Sequence, residues 1–138
     1  MKALSVRQPW AWLLFHGKPV ENRDWTTGYK RPLAIHSSVG MTVEEYEDAV
    51  EFCKPLSYLT TGLIPPMREL PRGCVVGIVE QVGCVERHPS PFFQGRYGHV
   101  YENQREFLRP CPARGALGLW EWSPVGGIEQ YWKGRPSL

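Results

Sequence analysis

The chain has 138 residues, of which 42% are hydrophobic and 22% charged, and its formal net charge at pH 7 is +2. This length fits one domain with a real core. The mild positive charge permits an RNA-sized polyanion as partner, whereas a dedicated duplex-DNA binder is usually more basic and clusters its Lys and Arg on one face. No segment approaches the roughly 20 apolar residues of a membrane span. The opening MKALSVRQPW lacks the features of a signal peptide, so a cytoplasmic protein without membrane association is expected.

The first 25 residues concentrate polar groups around one apolar segment. Residues 3–6 predict a strand, and the unbroken apolar run 10–15 predicts a short buried helix, with Pro9 in its first turn and Gly17 as its stop. Polar and aromatic residues crowd both ends of this unit: Arg7, Gln8, Lys18, Glu21, Asn22, Arg23 and Trp25. So many hydrogen-bonding groups around one apolar element indicate a lined pocket.

Two strands and a helix follow. Residues 20–25 predict a second strand with Glu21, Arg23 and Trp25 on one face, and residues 33–37 predict a third. Thr42 and Glu45 form a capping box that starts a helix, and Pro55 ends it. The spacing predicts a buried face for that helix made of Val43, Tyr46, Ala49, Val50 and Cys53.

The second half of the chain is dominated by one long apolar strand. Proline-rich residues 55–73 predict an excursion over the surface, and residues 74–85 predict a central strand covered on both faces. Residues 86–99 predict a polar loop whose Phe92 and Phe93 form either a binding element or lid, or a segment packed on the core. Residues 105–109 and 116–122 predict the last strands.

Short strands with interior glycines and proline-rich connections indicate an α+β fold, a barrel with short helices at its rim. We expect the domain to span residues 1–122. Residues 123–138 would then be a C-terminal extension that packs Tyr131 and Trp132 on the domain and frays beyond them.

The cysteines give no metal-binding pattern. Cys53, Cys74, Cys84 and Cys111 include no CxxC pair and no His at zinc-finger spacing, so neither a metal nor another cofactor is expected. Phosphate-loop and nucleophile-elbow patterns are also absent, which excludes nucleotide-driven motors, Rossmann enzymes and serine hydrolases.

Several blocks of the sequence resemble the ASCH domain family. The opening ALSVRQPWAWLL and the following GKPVENRDW are the specific ones, and RPLAIHSS, RGCVVGIVEQVGCV and RGALGLWEW resemble that family's later blocks in the right order. The resemblance covers roughly residues 1–122. It implies a PUA-like mixed β-barrel and a role with nucleic acids or nucleosides.

The same resemblance implies a candidate catalytic set. Some small ASCH proteins are amidohydrolases on acetylated cytidine that use a lysine after the first helix, a threonine three residues later and a glutamate on the central strand. The matching positions here are Lys18, Glu21 and Glu80, with a carboxylate in place of the threonine hydroxyl. A carboxylate cannot donate as a hydroxyl does unless it is protonated. Glu80 lies among apolar strand residues, and we expect Lys18 or Arg23 to neutralise it.

A binding role rests on a wider set of residues. Trp10 and Trp25 offer aromatic faces on which a base can stack. Side chains that can read a base edge or hold a phosphate surround them: Arg7, Gln8, Asn22, Arg23, Lys30, His36 and Ser37.

Two functions from different classes therefore remain open. The first is a domain that binds RNA, another single-stranded nucleic acid or a nucleoside in a cleft between the first helix, the ENRDW segment and the central strand. The second is a small nucleoside amidohydrolase or ribonuclease that uses Lys18, Glu21 and Glu80. Those three residues could also form only an ion-pair network that closes the barrel mouth, and residues 55–73 could serve a protein partner.

Overall fold

The structure is a computed structural model that describes residues 1–133. Its strands are β1 (Lys2–Val6), β2 (Val20–Arg23), β3 (Pro32–Ser37), β4 (Cys74–Val85), β5 (Tyr97–Pro112) and β6 (Leu119–Glu121), and its helices are α1 (Trp10–Leu13), α2 (Val43–Cys53) and α3 (Glu129–Trp132). The strands form one curled sheet in the order β2-β5-β4-β3-β1-β6. β1 runs parallel to β3, and the other pairings are antiparallel. The predicted α+β, PUA-like mixed barrel with short helices is confirmed.

The central strand β4 separates two apolar layers. Every residue from Cys74 to Val79 is buried, because β4 lies between β5 and β3 and is covered on both faces. One layer contains Val76 and Val79, and the other contains Val75 and Ile78. The predicted bounds of this strand and its central place in the sheet are confirmed.

The longest strand, β5, was not predicted at its true length. The sequence predicted a loop through residue 99 and a strand over 105–109, whereas the structure has one strand over Tyr97–Pro112. The middle of β5 is polar and largely exposed over residues 102–106, so the alternation of apolar and polar residues that marks a strand is missing there. Conversely, the predicted last strand over 116–122 is shortened to Leu119–Glu121.

Helices α1 and α2 begin at the residues predicted from the sequence, and Gly17 follows α1 as predicted. Gly17 has φ +121°, and the amide of Lys18 closes the turn by donating to the Leu13 carbonyl at 2.9 Å. Thr42 caps α2 by accepting from the Glu45 amide at 3.1 Å. The predicted buried face of α2 is wrong at Val43, the first residue of the helix, which is 54% exposed.

The segment after the sheet packs against β5. Phe107 on β5 contacts both Tyr131 and Trp132 of α3, with ring centres 5.7 and 4.5 Å apart. The fraying expected beyond Trp132 falls largely on residues outside the described part of the chain. Within residues 1–133, no helix has the length and apolar character needed to cross a membrane, and no group of three metal-ligating side chains occurs.

Candidate nucleic-acid-binding site

A cavity of about 490 Å³ opens between α1, β2, α2 and the loop that precedes β5. It is lined by Trp10, Lys18, Glu21, Asn22, Glu45, Asp48, Ala49, Phe52, Phe92 and Gln94. Four of the residues singled out from the sequence, Trp10, Lys18, Glu21 and Asn22, therefore meet in one place. We call this space the aromatic cavity.

Its inner end is a buried cluster of charges. Lys18 is 2% exposed and Glu21 is 7% exposed, and the Lys18 ammonium donates to Glu21 Oε1 at 3.0 Å. The second oxygen, Glu21 Oε2, accepts from Arg23 Nε at 3.2 Å and lies 3.0 Å from Nη2 of the same guanidinium. Because one carboxylate serves two cations, the cluster carries a net positive charge when all three groups are ionised.

Lys18 has donor capacity beyond its pair with Glu21. An ammonium carries three N–H groups, and the one hydrogen bond of the Lys18 ammonium within residues 1–133 is the bond to Glu21. The ammonium also lies 5.4 Å from the centre of the Trp10 ring, within the range of a cation–π contact. A ligand with acceptor atoms, such as a base carbonyl or ring nitrogen, would accept hydrogen bonds from the remaining N–H groups of Lys18.

The walls of the aromatic cavity carry three aromatic rings. Trp10 and Phe52 meet edge to face, with ring centres 5.8 Å apart and planes at 70°. Phe52 and Phe92 follow at 6.3 Å. Trp10 and Phe52 are half-buried, whereas Phe92 is 1% exposed and belongs to the core beneath. Phe92 packs on the core, which is one of the two alternatives predicted for its loop, and it also lines the cavity.

The mouth of the cavity is acidic. Glu45 and Asp48 project from α2, and Glu45 accepts from Arg7 at 2.7 and 2.6 Å. These bonds from Arg7 hold the pKa of the Glu45 carboxyl below its usual value. Within residues 1–133, Asp48 forms no ion pair. The α2 side of the mouth therefore disfavours an anionic group.

Two of the predicted binding residues are engaged in holding the fold. Gln8 is 1% exposed, donates to the Pro71 carbonyl and accepts from the Trp12 amide, both at 2.9 Å. Asn22 donates to the Phe92 carbonyl at 3.0 Å and accepts from the Gln94 amide at 2.9 Å. One N–H and the oxygen of each side-chain amide are used, so both residues hold the fold around the site.

Glu80 does not line the aromatic cavity, and the expectation that Lys18 or Arg23 neutralises it is wrong. Both cations pair with Glu21, while Glu80 Oε1 accepts a long hydrogen bond of 3.4 Å from Asn103. The β3–β4 register shifts at Val76, since Ile35 pairs with Gly77 and His36 with Val75. One residue of β4 is extra at this point, so a simple alternation along β4 does not hold across Val76 and misplaces Glu80 relative to the start of the strand.

Three other predicted residues lie away from this cavity. Lys30 is exposed in the connection between β2 and β3. His36 lies between Ser5 Oγ at 3.0 Å and the Ala113 carbonyl at 2.8 Å, and it lines a separate cavity. Ser37 is fully buried and donates to the Cys74 carbonyl at 3.1 Å.

A second cavity of about 390 Å³ adjoins the first and shares Asn22 and Gln94 with it. It is lined by Asn22, Arg23, Asp24, Trp25, Gln94, Gly95 and Arg96. The Trp25 ring is fixed edge to face on His99 at 4.7 Å, and His99 donates to the Trp25 carbonyl at 3.0 Å. We call this space the arginine cavity, because it brings Arg23 and Arg96 to one opening.

Further polar groups lie buried on the strands next to Glu21. Gln81 Oε1, His99 Nδ1 and the Tyr101 hydroxyl have no hydrogen-bond partner among residues 1–133. Burial, and after it the charge of Glu21, raise the pKa of the Tyr101 hydroxyl well above its usual value. The Tyr101 hydroxyl therefore stays protonated and can act as a donor on this side of the sheet.

Sequence reasoning missed the contributions of α2 and of residues 94–96. Glu45, Asp48, Ala49 and Phe52 lie at positions i, i+3, i+4 and i+7, which place them on one helix face. That spacing could have revealed a second stripe beside the predicted apolar one. No local pattern marks Gln94 or Arg96, since both reach the site only because Asn22 holds their loop.

The fold and these two cavities define a PUA-like barrel domain with an aromatic pocket around buried charges. No protein-family model matches the chain. The chain is similar to Activating signal cointegrator 1 of Homo sapiens, with 27% identity over 127 residues. The match covers 86% of this chain and 22% of the human protein, so the chain spans about a fifth of that relative's length.

Proposed function

We propose that the chain is a nucleic-acid-binding domain of the ASCH type that receives an unpaired base or nucleoside in the aromatic cavity. The observation that carries the proposal is the combination of three aromatic walls with the buried Lys18–Glu21 pair at the inner end. Sequence resemblance to the ASCH family and similarity to a human cointegrator support the class of partner.

A base is complementary both to the aromatic walls and to the charged inner end of this cavity. Its π-face can stack on Trp10 or Phe52, and such stacking contributes about 1–3 kcal/mol per base. Its edge presents carbonyl and ring-nitrogen acceptors to the spare donors of Lys18 and amino donors to Glu21. A duplex hides these edges, so the site favours single-stranded or flipped bases.

The alternative is a hydrolase acting on acylated cytidine, or a ribonuclease. The observation in its favour is that Lys18 and Glu21 form a buried pair within reach of a bound ligand. Two observations weigh against it. Glu80 lies outside the cavity, and Glu21 stands where the hydrolase pattern has a threonine hydroxyl.

The proposal is tested by titrating the purified chain with the four ribonucleosides and with single-stranded tetranucleotides, followed by calorimetry and NMR. Lys18→Met removes the donors and keeps the stem, and Phe52→Ala removes a stacking face. The matched controls are Lys54→Met and Tyr58→Ala, since both residues are exposed and neither lines the aromatic cavity.

We expect saturable binding that Lys18→Met and Phe52→Ala each weaken by about tenfold, one step of 1.4 kcal/mol, while the controls stay close to the parent protein. Absence of binding, or equal losses in the controls, would overturn the proposal. The same samples are incubated with acetylated cytidine and RNA and analysed by chromatography. Product formation that Lys18→Met abolishes would replace the binding domain by the hydrolase.

A further inference from the structure

The aromatic cavity and the arginine cavity adjoin each other, and we call the two together the track. Asn22 and Gln94 belong to both linings, so the two spaces meet across this pair of side chains. Asn22 fixes the position of Gln94 by accepting from its amide. The side chains between the two cavities are therefore held in place. A ligand that extends from one cavity into the other passes over Asn22 and Gln94.

Charge differs between the two ends of this track. At the α2 side of the aromatic cavity, Arg7 neutralises Glu45, and within residues 1–133 Asp48 forms no ion pair. Arg23 and Arg96 line the arginine cavity together with Asp24, and within the same residues Arg96 pairs with no carboxylate. Asp24 offsets part of the positive charge, so a polyanion entering this site is repelled by Asp48 and attracted chiefly to Arg96.

The arginine cavity combines cationic groups with an aromatic ring. The Arg96 guanidinium lies 5.1 Å from the centre of the Tyr97 ring and is exposed at the rim. Gly95 has φ +88° and nothing within 4 Å of the place where a Cβ would be, so the backbone beside Arg96 is open to solvent. Trp25 adds a half-buried ring held from behind by His99.

We propose that the partner is a single-stranded oligonucleotide whose one base occupies the aromatic cavity, whose adjacent phosphate lies at Arg96 and Arg23, and whose neighbouring base stacks on Trp25. This inference rests on the proposed function and specifies its ligand as a chain of at least two nucleotides. Arginine suits the phosphate because its planar fork makes paired hydrogen bonds to phosphate oxygens. Arg23 is already held by Glu21, so Arg96 supplies the uncommitted charge.

The test compares ligands that differ only in what they place in the arginine cavity. The four ribonucleosides, their 3′- and 5′-monophosphates, and the homotetranucleotides are titrated at two salt concentrations. The protein is used as the parent chain, as Arg96→Gln, and as Arg87→Gln. Arg87 is an exposed arginine on the same loop that lines neither cavity, so it is a matched control.

We expect the tetranucleotides to bind at least about tenfold more tightly than the nucleosides, with one of the two monophosphates in between, because a phosphate contact adds affinity. Arg96→Gln should remove most of this gain, lower the salt slope by about 0.7 as expected for one single-strand phosphate contact, and leave nucleoside binding unchanged. Arg87→Gln should change none of these values.

Two results overturn the inference, and they are distinguishable. If nucleosides bind in the aromatic cavity but tetranucleotides gain nothing, or if Arg96→Gln and Arg87→Gln lose the same amount, the track is wrong and the base pocket stands. If neither nucleosides nor tetranucleotides bind, the proposed function fails and the track fails with it.

Discussion

Glu21 is the residue on which the charge balance of the site depends. Its carboxylate is buried, with Lys18 on one oxygen and Arg23 on the other. Removing either cation leaves Glu21 neutralised by the other. Removing the carboxylate leaves a buried ammonium without a counter-charge, and this state is costly in a protein interior. The three residues therefore differ in their importance for stability even though they form one cluster.

We predict that Glu21→Gln destabilises the protein by about 3–5 kcal/mol, the range for breaking a buried ion pair, and that Lys18→Met costs clearly less. Urea denaturation of both variants and the parent measures the difference. Lys54→Met serves as the surface control. Equal losses for the two cavity variants would show that Lys18 does not depend on Glu21 for its charge.

At the residue scale the sequence predicted part of the site. Lys18 and Glu21 follow directly from their spacing after a glycine stop, a local feature that the fold preserves. Glu80 could not be placed correctly, since an extra residue at Val76 breaks the alternation along β4 before it. Gln8 and Asn22 were identified as polar and well placed, but only the contacts reveal that backbone groups already occupy both ends of their amides.

At the scale of elements, the loop before β5 depends on one side chain of β2. Asn22 bridges the Phe92 carbonyl and the Gln94 amide, so it places Phe92 in the aromatic cavity and Gln94 between the two cavities. The loop has no helix or strand of its own over residues 86–96. Its order in the site therefore comes from this bridge and from the burial of Phe92.

We predict that Asn22→Ala loosens this loop and costs about 1–3 kcal/mol, because it removes two hydrogen bonds and leaves the part-buried Phe92 carbonyl without its partner. Hydrogen exchange at residues 92–96 should accelerate while β4 stays protected. Thr26→Ala, an exposed change a few residues on, is the control and should leave the exchange pattern as it is. Unchanged exchange in Asn22→Ala would mean that Phe92 alone holds the loop.

The elements that the sequence predicted well are those with a strong local signal. β4 is apolar on both faces, and α2 begins at a capping threonine that accepts from the amide three residues on. The prediction of β5 failed because Glu102, Asn103, Arg105 and Glu106 are all exposed, and tertiary pairing with β4 makes this stretch a strand. Propensity and pattern carry no information about such partners.

At the scale of the whole molecule, Arg23 holds the curled sheet together. β2 lies at one edge of the sheet, while β1 is the fifth strand along the order. Arg23 Nη2 donates to the Ser5 carbonyl on β1 at 2.8 Å and so links two strands that share no ladder. One guanidinium thereby serves the ion pair with Glu21 and the closure of the barrel.

We predict that Arg23→Ala destabilises the protein by about 1.5–3 kcal/mol, the range for hydrogen bonds to charged groups, in addition to any loss of ligand affinity. Thermal melts give the stability, and titrations below the melting range give the affinity. Arg87→Ala is the exposed control. A variant that binds less but melts like the parent would show that Arg23 serves the ligand alone and that the contact with Ser5 adds nothing.

The position of β1 constrains how the chain can fold during its synthesis. β1 lies between β3 and β6, so a strand formed by residues 2–6 pairs with residues 119–121. The ribosome releases β1 first and β6 last of the six strands, and until β6 emerges one edge of β1 has no neighbour. Sheets that depend on such distant pairings form slowly, because the intervening chain loses conformational entropy before the stabilising contacts form. A nascent chain with an open β1 edge offers a strand to other polypeptides, and the short β6 removes that hazard once it pairs with β1.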